Sequence, residues 1–208
     1  KQNSMQPKKP LKTSNTIKIK LDLKHELKNI LNKQDQYTIP IFIPHRGCKN
    51  ECIFCNQRKI SGEYTDVTVQ DVENIIIEHL SYFDNKKEIE IAFFGGSFTG
   101  LPIRVMKEYL EVASKYVESG KVKGVRVSTR PDYINTNILN ILKKYHVKTI
   151  ELGVQSMDNN VLEISKRGHN SIDVIRASKM IRLYDIELGH QMMVRTARKH
   201  IRRRNRYY

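Results

Sequence analysis

The sequence predicts an α/β fold, a partial TIM-like barrel of parallel strands with about five strands present. Three observations carry that expectation. Short apolar runs alternate with helical periodicity from residue 39 to residue 193. The alternation runs in one direction without interruption, which favours parallel strands joined by helical crossovers. The loops rich in cysteine, glycine or polar groups all follow apolar runs, and in a barrel the C-terminal strand ends converge on one face.

The elements follow in order. "IPIFIP" (39–44) is the first strand and leads into the cysteine loop. "TVQDVENIIIEHLSYF" (68–83) is a helix with Thr68 as its cap and Val69, Val72, Ile76 and Leu80 on one apolar face. "EIEIAFFGG" (88–96) is the second strand, followed by a helix through "PIRVMKEYLEVASKYVES" (102–119). "VKGVRVST" (122–129) is the third, followed by "INTNILNILKKYH" (134–146). "VKTIELGVQS" (147–156) is the fourth and precedes two helical stretches, "NNVLEISKRG" (159–168) and "IDVIRASKMIRLY" (172–184). "IELGHQMM" (186–193) is the fifth.

The chain of 208 residues carries a net charge of +15, unevenly spread. Residues 1–36 hold +6 and residues 195–208 hold +7, which leaves +2 for 37–194. The expected organisation is therefore a basic, partly disordered and flexible N-terminal extension (1–36), a core domain (37–194) and a basic tail (195–208). Within the extension, strand-like alternation turns helical near Leu23, with Leu27, Ile30 and Leu31 as an apolar stripe. Terminal basic segments are more often solvated than bound, so the charge alone does not specify a nucleic-acid partner. There is no run of about 18 apolar residues, so no membrane span is expected. The lysine-rich start lacks the apolar heart of a secretory signal, and the expected location is cytoplasmic.

All three cysteines of the chain, Cys48, Cys52 and Cys55, lie within "CKNECIFC" (48–55). Three thiols so close together favour a reducing compartment and a metal or redox role over a disulfide framework. Thiolates suit both iron–sulfur clusters and zinc. A four-iron cluster ordinarily takes four cysteines, so three would leave one iron open for a ligand. The other reading is a structural zinc completed by His45. Spacing alone leaves both standing.

The arrangement of an apolar strand entering C-x3-C-x-aromatic-C resembles the radical S-adenosylmethionine superfamily. The resemblance continues in order through "FFGGSFTG", "VRVSTRPDYI", "ELGVQSMDNNVLEISKRGH" and "GHQMMV", over about residues 38–194. Within the superfamily the wording is nearest to the radical domain of the Elongator catalytic subunit, and more distantly similar to oxygen-independent coproporphyrinogen III oxidase. The resemblance implies a partial (β/α)6 barrel and a four-iron, four-sulfur cluster on Cys48, Cys52 and Cys55. It implies S-adenosylmethionine on the open iron, cleaved reductively to a 5′-deoxyadenosyl radical. It also implies an electron donor such as flavodoxin or ferredoxin. The Elongator likeness points to wobble-uridine modification of transfer RNA, although the acetyltransferase domain that completes that reaction is not in these residues. The oxidase likeness points to haem synthesis.

Residue by residue, the resemblance places Phe54 near the adenine, and Gly95 and Gly96 where backbone meets the cofactor's amino group. Ser128 stands where relatives commonly carry a glutamate toward the cofactor; it keeps hydrogen bonding but brings no charge. Arg130 has the planar fork to pair with a carboxylate. Gln155 matches a ribose contact, Arg167 an arginine facing the cofactor carboxylate, and Gln191 a further ribose candidate. His169 reads as a core or helix-start histidine, and no residue is singled out as a catalyst.

The resemblance breaks at "RTARKHIRRRNRYY" (195–208), where relatives continue with a segment like "GLPG". Back-translation with AGR arginine codons, shifted by one base, reads GLPGNILEEEIDI. The tail is thus expected to be the product of a one-base frameshift, and the barrel to be cut short with the edge of its fifth strand exposed. The alternatives to a radical enzyme are a zinc-stabilised nucleic-acid-binding module that uses the basic ends, and an inactive fragment of the enzyme.

Overall fold

The computed structural model describes residues 36–43, 48, 52, 53, 55, 67–83 and 88–193. The chain divides into two units, 1–36 and 37–208, and all described residues but Gln36 belong to the second. The expectations for the N-terminal extension, for His45 and Phe54, and for the tail 195–208 lie outside the described residues.

One five-stranded sheet runs β1 (Gln36–Ile43), β2 (Glu88–Gly95), β3 (Gly124–Thr129), β4 (Val147–Gln155) and β5 (Glu187–Met192), with spatial order equal to chain order. The pairs β2/β3, β3/β4 and β4/β5 are parallel. Sequential order without a reversal means that each crossover steps the same way, so the helices collect on one face. This is the topology of a barrel segment and not of a doubly wound sheet, whose strand order reverses at a switch point. The fold class read from the sequence is the one observed.

Most of the crossover helices begin at a side-chain cap; the one after β2 starts at Pro102 without one. α1 (Val69–Ser81) starts at Thr68, whose hydroxyl accepts from Asp71 N–H at 3.1 Å while Asp71 Oδ2 accepts from Thr68 N–H at 2.7 Å. This reciprocal box satisfies two donors that a helix start otherwise leaves open. α2 (Ile103–Glu118) follows a 3-10 turn, Phe98–Gly100, and α3 (Thr136–Lys144) follows another, Pro131–Tyr133. Neither turn is evident from periodicity. α4 (Asn159–Ile164) and α5 (Ser171–Leu183) start at Asp158 and Asn170.

Alternate strand residues form the core with the helices: Ile39, Ile41 and Ile43 of β1, Ile91 and Phe93 of β2, Val125 and Val127 of β3, Ile150, Leu152 and Val154 of β4. Phe93 stacks on Phe98 with ring centroids 4.7 Å apart. Each fully buried side chain of this kind contributes about 1.5–3 kcal/mol. Of the stripe expected on α1, Val72 and Ile76 are buried and Leu80 packs at the margin. Val69 is 36% exposed, because it opens the first turn beyond the buried part of the helix.

Candidate functional site

Strand pleating sends every second side chain away from the helices. On that inner face the strands carry charge. Arg126 of β3 donates through Nε and Nη2 to Glu90 Oε2 of β2 (3.1 and 2.7 Å), and through Nη1 to Glu151 Oε1 of β4 (2.9 Å). Burial works against the Arg126 charge, but the two carboxylates outweigh it and hold its pKa above the ordinary value. Glu151 Oε2 accepts from Ser128 Oγ at 3.3 Å and from Gln191 Nε2 at 2.8 Å. A polar ladder therefore crosses β2, β3, β4 and β5.

Above this ladder, at the C-terminal strand ends, lie two buried arginines and the cysteines. Arg130 puts its fork on Asp132, with Nε and Nη2 donating at 2.9 and 3.0 Å, and its guanidinium lies 5.5 Å from the Tyr133 ring centroid. Its backbone N–H donates to Ser97 Oγ, which also bonds Thr129 Oγ1 at 2.8 Å. Burial opposes the Arg130 charge; Asp132, and then Cys48 and Cys52, overcome that and raise its pKa. Arg130 Nη1 is buried without a hydrogen-bond partner among the described residues.

Arg167 donates Nη1–H to the Cys52 sulfur at 3.4 Å and Nη2–H to the Gly153 carbonyl. Its inward direction comes from the end of α4. Lys166 adopts φ 54° and its N–H bonds Glu163 O at 2.9 Å, while Arg167 N–H reaches back to Leu162 O at 3.0 Å. That is a Schellman termination with Lys166 as its left-handed residue. The same helix end holds the cysteine loop, since Ile53 N–H donates to Ser165 O at 3.2 Å. A tight turn follows, with Cys55 N–H bonding Cys52 O at 2.9 Å.

Cys52 is buried, and Cys48 and Cys55 are half-buried. Burial pushes the Cys48 thiol above its ordinary value, the nearby charges of Cys52 and Cys55 add to the rise, and Arg130 and the Ser97 backbone N–H oppose it. His169 is fully buried, with Nε2–H donating to Val154 O at 3.3 Å and Nδ1 4.0 Å from Asp132 Oδ1. Burial, then Arg167 and Arg130, hold its pKa below the ordinary value.

Two backbone features mark the rim. Gly95 has φ +104°, and a Cβ there would lie 2.5 Å from Ile43 O and 2.9 Å from the Phe42 ring. Gly96 N–H donates to the same Ile43 carbonyl at 2.9 Å. Gln155 closes β4 at φ 66°, a strained conformation for a residue with a side chain, and such strain concentrates at functional sites.

Of the described site residues, Gly95, Gly96, Arg130, Gln155 and Arg167 lie at the C-terminal strand ends and Ser128 and Gln191 on the ladder below, with partners the sequence did not reveal. Ser128 and Gln191 meet at Glu151, Arg130 is taken by Asp132, and Arg167 lies on Cys52. Arg126, Glu90, Glu151, Ser97 and Asp132 were missed. A signal existed for three of them: in "EIEIA", "VRVS" and "IELGV" a charge stands between apolar neighbours, which is costly in a strand unless that face has a use.

The donor set suits an iron–sulfur cluster. The three thiols lie at the strand ends with two buried guanidiniums, one of them on Cys52, whose positive charge offsets part of the negative charge of a thiolate-held cluster. Among the described residues no three Cys, His, Asp or Glu side chains converge into a closed metal site.

A model of the Radical SAM superfamily matches residues 42–196. An uncharacterized protein of Methanocaldococcus jannaschii is 35% identical over 162 residues, covering 71% of this chain and 48% of its own. The tRNA uridine(34) acetyltransferase of Methanocaldococcus infernus is 29% identical over 123 residues, covering 51% of this chain and 23% of its own. This chain therefore spans less than half the length of both relatives. Among solved structures, the archaeal Methanocaldococcus infernus Elp3 with an N-terminal deletion superposes with a TM-score of 0.55 at 20% identity, over 76% of this chain and 38% of that one. No helix among the described residues is long and apolar enough to cross a membrane.

Proposed function

This chain belongs to the radical SAM superfamily of enzymes, and from that premise we propose that Cys48, Cys52 and Cys55 hold a four-iron, four-sulfur cluster beside a bound S-adenosylmethionine. The observation that carries the reading is the meeting of Cys52, Arg167 and Gly153 at the C-terminal strand ends. When bound, the pair supplies reductive cleavage of S-adenosylmethionine to a 5′-deoxyadenosyl radical, with the electron drawn from a low-potential donor such as flavodoxin or ferredoxin.

The chain's own groups do the holding. The buried charges of Arg130 and Arg167 offset part of the negative charge that a cluster on three thiolates carries. Gly95 and Gly96 offer carbonyl acceptors to an amino group, and Gly96 N–H is already used by Ile43. The Gln155 amide offers donor and acceptor to ribose hydroxyls. Glu151, with Ser128 and Gln191 on it, supplies a carboxylate on this face. Three cysteine thiols within eight residues fit a reducing compartment, the cytoplasm. Substrate class follows the relatives: three matches are named tRNA uridine(34) acetyltransferases, which favours transfer RNA.

Anaerobic reconstitution tests the reading. The expected protein is brown, holds about four irons and four sulfides per chain, and releases 5′-deoxyadenosine from S-adenosylmethionine under a chemical reductant. Cys→Ala changes at 48, 52 or 55 should each lose the iron. A colourless protein that keeps zinc under the same treatment would sink the reading. Deuterium passing from labelled transfer RNA into 5′-deoxyadenosine supports the substrate class, and none passing removes it.

A further inference from the structure

We propose that Arg167 raises the reduction potential of the cluster by donating a hydrogen bond to the sulfur of Cys52. The inference rests on the cluster of the proposed function. Reduction adds one electron, delivered by the low-potential donor, and makes the cluster with its three thiolates more negative by one unit. A donor aimed at a ligating sulfur and a fixed buried cation each stabilise that more negative form over the oxidised one.

The geometry is particular to Arg167. It is buried at 8% exposure, where water screens little. Its Nη1–H lies on Cys52 Sγ at 3.4 Å and its Nη2–H on the Gly153 carbonyl, so the fork spans the cysteine loop and β4. The approach is held from behind by the Schellman termination of α4, and from the side by the Ile53 N–H bond to Ser165 O. An arginine there to meet only a ligand's carboxylate would not need its guanidinium on a thiol sulfur.

The test is an electron-paramagnetic-resonance redox titration of the anaerobically reconstituted full chain, with iron content and circular dichroism measured in parallel. Arg167→Gln should lower the equilibrium constant for reduction on the order of tenfold, which is about 59 mV for a one-electron couple. Arg167→Lys, which keeps the charge and loses the fork, should lower it less. An Arg167→Gln constant within about twofold of wild type in protein that retains its cluster, set against a charged hydrogen bond's expected worth, overturns the inference and leaves the cluster reading intact. If Arg167→Gln does not fold, Arg167→Lys decides the matter, and a constant at or above wild type overturns the inference. A wild-type chain that takes up no iron overturns the proposed function and this inference with it.

Discussion

Ser128 and Glu151 stand opposite each other on β3 and β4, and the Ser128 hydroxyl donates to Glu151 Oε2 at 3.3 Å. The inner face thus has its carboxylate at this level on β4, with a neutral partner on β3. A second carboxylate at 128 would face the first across the strand pair. Ser128→Glu should be less stable than Ser128→Ala by about 1 kcal/mol at pH 7, and the gap should close toward about pH 4 as one carboxyl protonates. The exchange variant, Ser128→Glu with Glu151→Ser, should recover most of the loss. Urea unfolding at both pH values checks this, and equal stability of Ser128→Glu and Ser128→Ala at pH 7 would count against the pairing.

Arg126 is the cation between Glu90 and Glu151. Arg126→Met should leave two carboxylates facing each other with about a fifth of each side chain exposed (21%). The expected cost is about 1–3 kcal/mol, below that of breaking a fully buried pair. A chemical denaturation difference within experimental error of zero would show the ladder to be incidental.

Gly95 and Gly120 both have positive φ, at +104° and +74°, but differ in what surrounds them. Gly95→Ala should cost well over about 1 kcal/mol, because the methyl meets Ile43 O, and it should also lower iron uptake by displacing the end of β1. Gly120→Ala meets nothing within 4 Å and should cost only the backbone strain. Thermal unfolding of the two variants compares them directly, and similar losses would mean that the Ile43 contact carries no weight.

Lys166 turns Arg167 inward through its left-handed backbone. Lys166→Gly, which adopts φ 54° freely, should be neutral or stabilising by up to about 1 kcal/mol. Lys166→Val should destabilise by about 1–2 kcal/mol and loosen the hold of Arg167 on Cys52. Iron retention during dialysis is the readout: Lys166→Val should lose iron faster than wild type and Lys166→Gly should not.

His169 is kept neutral by burial and by Arg167 and Arg130, with Asp132 pulling the other way. Its folded pKa lies below its unfolded value of about 6.5. As pH falls through that value the unfolded chain takes up a proton that the folded chain refuses, so stability is lost on the acid side. The unfolding midpoint should therefore drop from about pH 7.5 to about pH 5.5, and His169→Gln should flatten that slope. A wild-type profile no steeper than that of the variant would contradict this.

Much of the fold was legible in the sequence. The strand of "EIEIAFFGG" and the helix of "TVQDVENIIIEHLSYF" announce themselves by periods of two and 3.6, and Thr68 announces the cap. The 3-10 turns at Phe98–Gly100 and Pro131–Tyr133 did not, because three residues are too few to carry a period. The planar fork of Arg130 marked it as a partner for a carboxylate, and the folded chain supplies one in Asp132, two residues away in sequence.

Local spacing and composition already carry the elements, their one-directional order, the trio of thiols and the family likeness. Which polar groups meet emerges on folding: Ser128 with Glu151 across 23 positions, and Arg167 with Cys52 across 115. The physical reason is that such meetings depend on strand register and on the backbone turn at Lys166. Both are set by the packing of the helices against the sheet, which no single segment encodes.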